Sequence, residues 1–328
     1  MSERHRPQDG PYRSVFVTGA SGYIGRQVIE ALARGRGGLT SIVAGDVRVP
    51  AESDRIAGIE YVAADIRSAD LTALFRRHAV DLVVHLAAVV TPGRKPNRAL
   101  EYEVDVLGTQ NVLNACLAAG VRKLIYTSSG AAYGYHADNP GWLDESHALR
   151  GNPEFAYSDH KRLVEEMLAR WRAEHPDVLQ LVFRPGTILG ARANNQITAL
   201  FDGRYVLGLS GASSPFVFIW DQDVVGAIVG GIHAGGTGIF NMAGDGTLTL
   251  REIAAILRKP YVTLPASVVS TALWLLKKLG LTQYGPEQVN FLRYRPVLSN
   301  RRLKEEFGYV PKKTTREVFE YFLQTRGG

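Results

Sequence analysis

The feature that most restricts the fold of this chain is a glycine-rich turn between an apolar strand and an amphipathic helix. In "VFVTGASGYIGRQVIEALA" the glycines are Gly19, Gly22 and Gly25. The first permits a tight turn, the second lets backbone N–H groups approach a pyrophosphate, and the third lets the helix pack close to the sheet. The helix N-terminus then faces the negative charge. Glycine triplets are common in loops, so the position of this one after a buried strand is what predicts a dinucleotide site.

The alternation of strand and helix continues through the first two thirds of the chain. Short apolar segments such as SVFVTG, TSIVAGD, DLVVHLAA, KLIYTSS and LQLVFRP lack strict period-two alternation, which is typical of strands buried on both faces. Longer amphipathic segments separate them. The pattern predicts an α/β fold with a Rossmann-type doubly wound parallel sheet.

The last third of the chain is less regular and predicts a second, smaller unit. Beyond Arg184 the chain is rich in glycine and aromatic residues, and Thr249 and Glu252 have the spacing of a helix capping box. We therefore predict a flexible tail over 1–12, a dinucleotide-binding Rossmann domain over 13–184, and a mixed α/β substrate lobe over 185–328. Later segments are expected to return to the Rossmann domain.

Two carboxylates that end the next strands bear on the identity of the cofactor. Asp46 ends "TSIVAGD", about 20 residues beyond the glycine turn, where a carboxylate accepts hydrogen bonds from an adenosine ribose and repels a 2′-phosphate. NAD is therefore predicted in preference to NADP, although Arg48 can weaken this preference and Asp46 can instead cap a turn. Asp65 ends "IEYVAAD" and either approaches the adenine edge or terminates its strand.

A tyrosine and a lysine four positions apart, Tyr157 and Lys161, open the helical segment "AYSDHKRLVEEML". Residues four apart share a helix face, so the ammonium can lie beside the phenol and favour its ionised form. Lowering a tyrosine pKa from its ordinary value near 10 to about 7 requires roughly 4 kcal/mol. The same spacing also occurs by chance on solvated helix faces. The strand end "KLIYTSS" adds Ser129, or less favourably Ser128, which can hold a reacting oxygen against Tyr157.

Taken together, these motifs make the chain similar to the extended short-chain dehydrogenase/reductase superfamily, in its NAD-dependent epimerase/dehydratase branch. The resemblance extends over nearly the whole chain and includes "TGASGYIG", "HLAA", "VLGTQNVL", "SSGAAYG" and "YSDHK" in this order. It implies bound NAD, a Ser129/Tyr157/Lys161 triad in which Lys161 also holds the nicotinamide ribose, and a homodimer formed through the helices at 111–119 and 160–172. The implied cofactor contacts are Gly19, Ser21, Gly22, Tyr23, Ile24, Gly25, Asp46, Asp65, Ile66, Leu86, Ala87, Ala88, Tyr157 and Lys161.

Departures from the family pattern bear on the substrate. Dehydratases of this family typically carry an acidic pair where this chain has Gly130 and Ala131, so dehydration is not expected. Sugar-nucleotide epimerases usually have an asparagine where Thr187 stands. They also have a diphosphate-binding arginine before an aromatic-Ile-His segment, where "SPFVFIWDQD" offers Phe216 and Trp220.

Further residues are candidates for the substrate site. The segment "ARANNQITALF", with Asn195, is similar to the asparagine-rich segment that contacts the diphosphate in such enzymes. Asp105 stands where the family more often has asparagine, and its role is expected to be structural. Four arginines form either an anion site or a solvated basic face: Arg293, Arg295, Arg301 and Arg302. Five aromatic residues either line an apolar pocket or, more commonly for such positions, belong to the core: Trp142, Phe155, Phe216, Phe218 and Trp220. The predicted substrate contacts are Ser128, Thr187, Asn195, Phe216 and Trp220.

Three functions fit this sequence. The first is an NAD(H)-dependent oxidoreductase that interconverts a secondary hydroxyl and a ketone on a sugar derivative or on a sterol- or terpenoid-like alcohol. The second is an NAD-dependent sugar-nucleotide epimerase that works through a transient keto-sugar with the same triad. The third is a catalytically inactive NAD-binding sensor, which the intact triad disfavours.

Composition argues against a nucleic-acid partner, a disulfide, a metal site and a membrane-spanning segment. The 38 basic and 32 acidic residues are scattered, so no nucleic-acid partner is expected. The single cysteine, Cys116, excludes an intramolecular disulfide and fits a cytoplasmic setting, and the eight dispersed histidines predict no metal site. The N-terminal residues lack the apolar region of a secretory signal, and no transmembrane segment is expected. The most apolar segment, 264–281, predicts a packed helix, a lid over an apolar pocket, or a membrane-surface contact, in that order.

Overall fold

A central parallel sheet with helices on both faces organises the structure, a computed structural model that describes residues 12–90, 97–213, 215–234, 236–282 and 285–326. The strands are β1 (Ser14–Thr18), β2 (Ser41–Asp46), β3 (Glu60–Ala63), β4 (Leu82–His85), β5 (Lys123–Thr127), β6 (Leu179–Pro185), β7 (Thr187–Leu189), β8 (Val206–Leu209), β9 (Phe218–Trp220), β10 (Gly238–Met242) and β11 (Tyr261–Leu264). The helices are α1 (Tyr23–Arg34), α2 (Leu71–Arg77), α3 (Arg98–Tyr102), α4 (Thr109–Ala119), α5 (Ala156–Glu174), α6 (Gln196–Ala199), α7 (Asp221–Ala234), α8 (Leu250–Leu257), α9 (Ala266–Lys278), α10 (Gln288–Arg293), α11 (Arg301–Glu305) and α12 (Thr315–Arg326). A π-helical turn, Glu103–Gly108, joins α3 to α4, and a 3₁₀ turn, Gly130–Tyr133, follows β5.

Seven strands form the central sheet in the order β3-β2-β1-β4-β5-β6-β10, with every neighbouring pair parallel. The chain leaves β1 towards β3 on one side and then returns to build β4 and β5 on the other. The change of direction lies between β1 and β4, and in doubly wound sheets the ligand binds in the crevice that opens there. The Rossmann-type sheet predicted from the sequence is confirmed.

The two faces of the sheet are buried by different helices. Val15 and Val17 of β1 pack with α1 and α7, whereas Phe16 between them packs with α2, α4 and α5 on the opposite face. Successive side chains of a strand point to opposite faces, so a strand covered on both sides is apolar throughout. This explains why the strand segments of the sequence lack alternation. Cys116 is fully buried on α4, where burial raises the pKa of its thiol, as expected for a packing residue.

A smaller lobe is built largely from residues beyond 185, although α7 and β10 return to the central sheet. Two parallel strand pairs, β7–β9 and β8–β11, lie in this lobe, and its core joins α6, α8 and α12. At the start of α8 the Thr249 hydroxyl accepts the N–H of Glu252, while the Glu252 carboxylate accepts the N–H of Thr249 at 2.8 Å. The capping box predicted from spacing is therefore present.

The structure bears on two further predictions, the flexible tail over 1–12 and the absence of a transmembrane segment. Residues 1–11 of the tail lie outside the described residues, and Tyr12 is buried, with the Arg122 guanidinium 5.0 Å from its ring centre. Within the described ranges, no helix has the length and apolar character needed to cross a membrane.

Candidate active site

The glycine turn between β1 and α1 has the backbone geometry that a dinucleotide phosphate requires. Gly19 has a φ of +67°, a left-handed value that favours glycine, and Gly22 donates its N–H to the Gly19 carbonyl at 3.0 Å. A Cβ at Gly25 would lie 2.1 Å from that carbonyl oxygen, and a Cβ at Gly19 would lie 2.7 Å from the backbone nitrogen of Ala87. No side chain fits at these two positions, so the backbone of the turn packs tightly against the start of α1. The first N–H groups of α1 are then open to a phosphate. The residues present therefore fit the pyrophosphate of NAD.

Asp46 supports the loop beside this cradle from the end of β2. Its carboxylate accepts the backbone N–H groups of Ser21 and Arg48, each at 3.0 Å. The Ser21 hydroxyl in turn donates to the Arg48 carbonyl at 2.6 Å. Asp46 thus stabilises the turn, which was the alternative to a ribose contact, and the ribose contact itself stays a prediction.

Asp65, at the end of the next strand, is held by an arginine. Nε and Nη2 of Arg67 donate to its two carboxylate oxygens at 3.0 and 2.7 Å, and this pairing holds the pKa of Asp65 below its usual range. Both side chains lie on a surface depression that Glu103 also lines. Ile66 is buried beside them, where a Cβ at Gly108 would lie 2.7 Å from its side chain. Contact of Asp65 with an adenine edge stays a prediction.

A cavity of about 520 Å³ brings most of the remaining predicted cofactor residues together with the predicted triad, whereas Ala87 lies outside its lining and packs its backbone against Gly19. The predicted residues that line it are Gly19, Gly22, Tyr23, Ile24, Gly25, Leu86, Ala88, Ser128, Ser129, Tyr157, Lys161, Thr187 and Asn195. The Tyr23 hydroxyl also donates to the Asp221 carboxylate at 2.6 Å, which joins the cradle to the first residue of α7. Such a volume lies within the range of typical small-molecule sites.

The protonation state of Tyr157 is set mainly by burial. Burial raises the pKa of the phenol to about 12, a hydrogen bond with Ser129 opposes the rise, and Tyr135 and Asp105 add to it. The tyrosine is therefore a neutral proton donor at neutral pH. To act as a base it needs more positive charge nearby than the protein alone provides.

Lys161 lies beside Tyr157 but bonds to other groups. Its Nζ donates to the Tyr126 hydroxyl at 3.0 Å and to the Thr127 carbonyl at 2.9 Å, and it lies 5.7 Å from the ring centre of Tyr157. Burial lowers the pKa of Lys161 to about 8, and the carboxylates of Asp105 and Glu165 oppose this change. The proximity predicted from the helix spacing is present, and any effect of the ammonium on the phenol acts through space.

Asp105 ties together three elements beneath the triad. It is buried in the π-helical turn, where its carboxylate accepts the N–H of Val89 at 2.8 Å and contacts Nδ1 of His160 at 3.1 Å. π-Helical turns are frequently found at functional sites. The structural role expected for Asp105 is consistent with these contacts. The sequence did not indicate His160 as its partner, because the two residues are 55 positions apart.

His85, in the "HLAA" segment, is a neutral hydrogen-bonding link. Its ring nitrogens contact the hydroxyls of Thr18 at 2.7 Å and Thr109 at 2.9 Å. Burial, and then the charge of Lys161, lower the pKa of His85 to about 3. The imidazole therefore holds β1, β4 and α4 together and does not carry a proton at neutral pH.

Replacing Asp105 with asparagine is expected to move the alkaline limb of the pH–rate profile to lower pH. The amide oxygen can still accept the N–H of Val89, but the negative charge that favours protonated Lys161 is lost. The pKa of Lys161 then falls below about 8, so activity that needs the ammonium is lost earlier as the pH rises. Profiles of kcat/KM against pH measure the shift. Asp159→Asn, which removes a carboxylate bonded to Arg162, is the control, and an unmoved limb in Asp105→Asn contradicts the prediction.

The hydroxyl of Ser128 is engaged by a buried ion pair. It donates to the Glu165 carboxylate, which also accepts Nε and Nη2 of Arg184 at 2.8 and 2.6 Å. Arg184 also donates to the Tyr133 hydroxyl at 2.8 Å. Both serines line the cavity, but the Ser129 hydroxyl accepts the N–H of Ala131 at 3.1 Å instead of joining the ion pair, and it opposes the rise in the pKa of Tyr157. The geometry therefore favours Ser129 as the residue that would hold a reacting oxygen.

Arg295 is a cationic side chain of the cavity lining that packs against two phenyl rings. Its guanidinium carbon lies 4.1 Å from the ring centre of Phe216 and 4.7 Å from that of Phe291. Nη2 donates to the Thr187 hydroxyl at 3.2 Å, whereas the buried Nη1 has no hydrogen-bond partner in the part of the chain that the structure describes. Burial lowers the pKa of Arg295 to about 10, so the group stays charged at neutral pH. An orphaned N–H on a buried cation provides a place for an anion.

The other predicted substrate residues have different outcomes. Asn195 lines the cavity, but its Oδ1 caps α6 by accepting the N–H groups of Ile197 and Thr198. The three other arginines of the basic segment do not line the cavity, since Arg293 lies over the Tyr294 ring and Arg301 and Arg302 face Glu305 and Glu306. Their alternative interpretation, a solvated basic face, fits better.

Phe216 and Trp220, which the sequence predicts as substrate contacts, do not line the cavity. Phe216 is fully buried in the core of the smaller lobe behind Arg295, and Trp220 packs against Tyr321. Besides Tyr23 and Tyr157, the aromatic residues that line the cavity are Tyr135 and Phe291, neither of which was predicted from the sequence. An aromatic residue in a strand can face either side, so its presence alone did not identify the pocket face.

Among the described residues, no cluster of three or more His, Cys, Asp or Glu side chains could hold a metal ion.

Comparisons with known proteins give the chain a context. Residues 15–207 match the sequence profile of the NAD dependent epimerase/dehydratase family. A UDP-glucose 4-epimerase from Mycolicibacterium smegmatis is 28% identical over 317 residues, which cover 92% of this chain and 95% of that protein. An uncharacterised protein from Mycobacterium tuberculosis is 28% identical over 320 residues, which cover 95% of this chain and 84% of that protein.

Solved structures have the same fold. A UDP-glucose 4-epimerase from Thermus thermophilus in complex with NAD superposes with a TM-score of 0.72 at 23% identity, over 96% of this chain and 99% of that one. A UDP-glucose 4-epimerase from Thermotoga maritima with UDP-glucose gives a TM-score of 0.72 at 19% identity, over 96% and 98% of the two chains.

Proposed function

Because the chain belongs to the NAD dependent epimerase/dehydratase family, we propose that it inverts a hydroxyl-bearing carbon of a phosphate-bearing sugar through a transient ketone. The chain is an enzyme of this family and NAD is its cofactor. From the sequence alone, net interconversion of a hydroxyl and a ketone is the first prediction and epimerisation the second. Arg295 and the names of the relatives support the second over the first.

The triad would move the proton while the substrate carbon changes oxidation state. Ser129 would hold the substrate hydroxyl against Tyr157. The phenol, ionised with the help of the positive charge that the oxidised nicotinamide would add to that of Lys161, would take its proton. The chemistry that bound NAD supplies is reversible acceptance of the hydride that leaves the same carbon. Tyr157 would return the proton when the ketone is reduced from its other face. Lys161, fixed by Tyr126 and Thr127, would supply positive charge throughout.

The single observation that carries the choice of substrate is the orphaned N–H of Arg295. The guanidinium packs against two phenyl rings and faces the same cavity as Tyr157, and its Nη1 has no hydrogen-bond partner among the described residues. In epimerases of this family a diphosphate-binding arginine is expected just before the segment that contains Phe216. Arg295 stacks on Phe216 from another part of the chain and would supply the missing cation. A phosphate group would satisfy the orphaned donor with a charge-assisted hydrogen bond.

Water elimination is not part of the proposal, because Gly130 and Ala131 stand where dehydratases of the family carry an acidic pair. A Cβ at Gly130 would already lie 2.7 Å from the side chain of Leu298. A carboxylate there would have to displace this buried leucine.

The activity can be tested with UDP-glucose as the probe, since relatives are named for it. We expect purified protein with NAD⁺ to form the hydroxyl epimer of the sugar without net accumulation of NADH, as followed by chromatography and NADH absorbance. NADH that accumulates in step with substrate loss would instead indicate a net dehydrogenase. Turnover of neutral alcohols alone, with every nucleotide sugar left unchanged, would contradict the proposal.

Replacing Arg295 with methionine is expected to raise KM for UDP-glucose by about 10- to 100-fold, with a smaller change in kcat. Methionine preserves much of the packing between the phenyl rings but removes the N–H groups and the charge. Arg295→Lys is the matched control, because it keeps the charge without the planar fork and should recover part of the affinity. Retained NAD binding reports that the variants fold. An unchanged KM in Arg295→Met would contradict the assignment.

We also keep the homodimer as a proposal for α4 and α5, the helices that the family resemblance implicates. Sedimentation velocity of the purified chain tests it, with a dimer expected.

A further inference from the structure

The segment from β11 through the residue Leu281 exposes an unusual amount of apolar side chain. Of the twenty large hydrophobic residues that are exposed in the described parts of the chain, eight lie in this short segment. They are Val262, Leu264, Val268, Trp274, Leu275, Leu276, Leu279 and Leu281. Scattered single apolar residues are normal on a protein surface, but such a concentration indicates an interaction site.

Helix α9, within this segment, is apolar on two faces. Val269 and Leu273 pack against the apolar cluster of Leu209 and Val289, which fixes the helix to the smaller lobe. A second stripe at helical spacing includes Val268, Leu275 and Leu279, whose exposed fractions are 50, 47 and 69%. A surface helix of a water-soluble domain normally has polar residues at such positions, so this stripe indicates a further apolar contact.

The charge of the segment is of one sign. From 258 to 286 the chain contains no acidic residue and four basic ones, Arg258, Lys259, Lys277 and Lys278. Lys277 is paired with Glu287 at 3.1 Å, and Lys259 donates to the Phe201 carbonyl. Arg258 is exposed, and Lys278 is exposed beside the ring of Trp274, 5.1 Å from its centre. Lys278 therefore places a cation beside the apolar stripe at the C-terminal end of α9, and Arg258 adds an exposed cation just before β11.

These observations decide what covers the apolar stripe of α9: the active-site cavity, a second copy of the chain, or a lipid surface. A lid over the active site is disfavoured because α9 contributes no residue to the lining of the cavity. A second copy of the chain, paired through this face by a twofold axis, would place like charges together with no acidic residue of the segment to balance them. An anionic lipid surface satisfies both properties, because it accepts the apolar stripe and attracts the lysine and arginine side chains.

We propose that α9 and the residues around it form a docking surface for an anionic membrane. The helix would lie in the plane of the interface with Val268, Leu275 and Leu279 among the lipid chains and Lys278 at the headgroups. Trp274 would sit at the same level, where amphipathic aromatic rings are favoured. Helix α9 packs on α10, and α10 supplies Phe291 to the cavity, so the docked enzyme would hold its active site one helix away from the membrane.

Co-sedimentation of the full-length protein with vesicles tests this proposal. We expect binding to phosphatidylcholine vesicles that contain about a third phosphatidylglycerol, weaker binding to phosphatidylcholine alone, and weaker binding at high salt. The variant Leu275→Glu/Leu279→Glu should lower the partition by about tenfold or more. It should keep its activity on a water-soluble substrate, because neither residue lines the cavity. The matched control is Val47→Glu/Val310→Glu, which charges two apolar residues that are equally exposed elsewhere.

Three results would overturn the proposal. One is no binding of the wild type to vesicles of either composition. Another is equal loss of binding in the control variant. The third is a wild-type oligomer that dissociates with Leu275→Glu/Leu279→Glu in sedimentation velocity, which would assign the surface to a second copy of the chain.

Discussion

Turnover should fall by about 10²- to 10⁴-fold when Tyr157 is replaced with phenylalanine, while NAD binding stays close to that of the wild type. The change removes one oxygen and keeps the ring that packs at the start of α5. Neither Ser129 nor Lys161 can replace the phenol, because a serine hydroxyl is far weaker as an acid and Lys161 is held by Tyr126 and Thr127. The loss should therefore appear in kcat, since the group acts on the proton in transit.

Tyr135→Phe provides the matched control for this experiment. Tyr135 is a second buried tyrosine that lines the same cavity, and burial raises the pKa of its phenol too. It has no proposed part in proton transfer, so its variant should keep most of the wild-type rate. Steady-state rates and NADH titrations on the two variants separate the roles. Equal losses in both, or a Tyr157→Phe enzyme that turns over normally, would contradict the catalytic assignment.

The second large effect is expected on stability, at the buried pair of Glu165 and Arg184. Glu165→Gln should lower the free energy of unfolding by about 3–5 kcal/mol, because it leaves the guanidinium without its bidentate carboxylate in a place that water does not reach. The side chains of both partners are almost completely buried, 3 and 4% exposed. Urea unfolding followed by circular dichroism measures the change.

Two further variants show whether the charge or the hydrogen bonds are responsible. Ser128→Ala removes one hydrogen bond to the same carboxylate and should cost only about 1 kcal/mol. Glu165→Leu/Arg184→Met removes both charges and should be less destabilised than Glu165→Gln, since no charge is left unpaired. A Glu165→Gln protein within about 1 kcal/mol of the wild type would contradict the expectation. Ser128→Ala should also leave KM unchanged if Ser129 alone holds the substrate oxygen.

Much of the fold and part of the site follow from local sequence patterns. The glycine turn, the buried strands and the Tyr157–Lys161 spacing each involve residues within a few positions of one another. Backbone sterics and helical periodicity therefore determine their geometry without reference to the rest of the chain. The parallel sheet follows in turn, because a single helix between two strands returns the chain to the end of the sheet where the first strand began, so the two strands run in the same direction.

The features that the sequence did not reveal depend on distant partners. Thr187 contacts Arg295 from 108 positions away, and Asp105 contacts His160 from 55 positions away. Only the completed fold decides which of four nearby arginines points into the cavity. The place of Phe216 outside the cavity lining has the same cause, because its ring packs against Arg295, which comes from a distant part of the chain.

The position of β10 at the edge of the sheet has a consequence for how the protein is made. Its partner β6 ends at Pro185, and β10 begins only at Gly238. At a synthesis rate of roughly 5–20 residues per second, the ribosome needs several seconds to add the intervening segment. During that time the apolar edge of β6 has no neighbouring strand, and unpaired edges of this kind recruit other chains. The nascent protein should therefore depend on chaperones most strongly in this interval. Chains on ribosomes stalled after the synthesis of β6 and before that of β10 should be the most prone to aggregate.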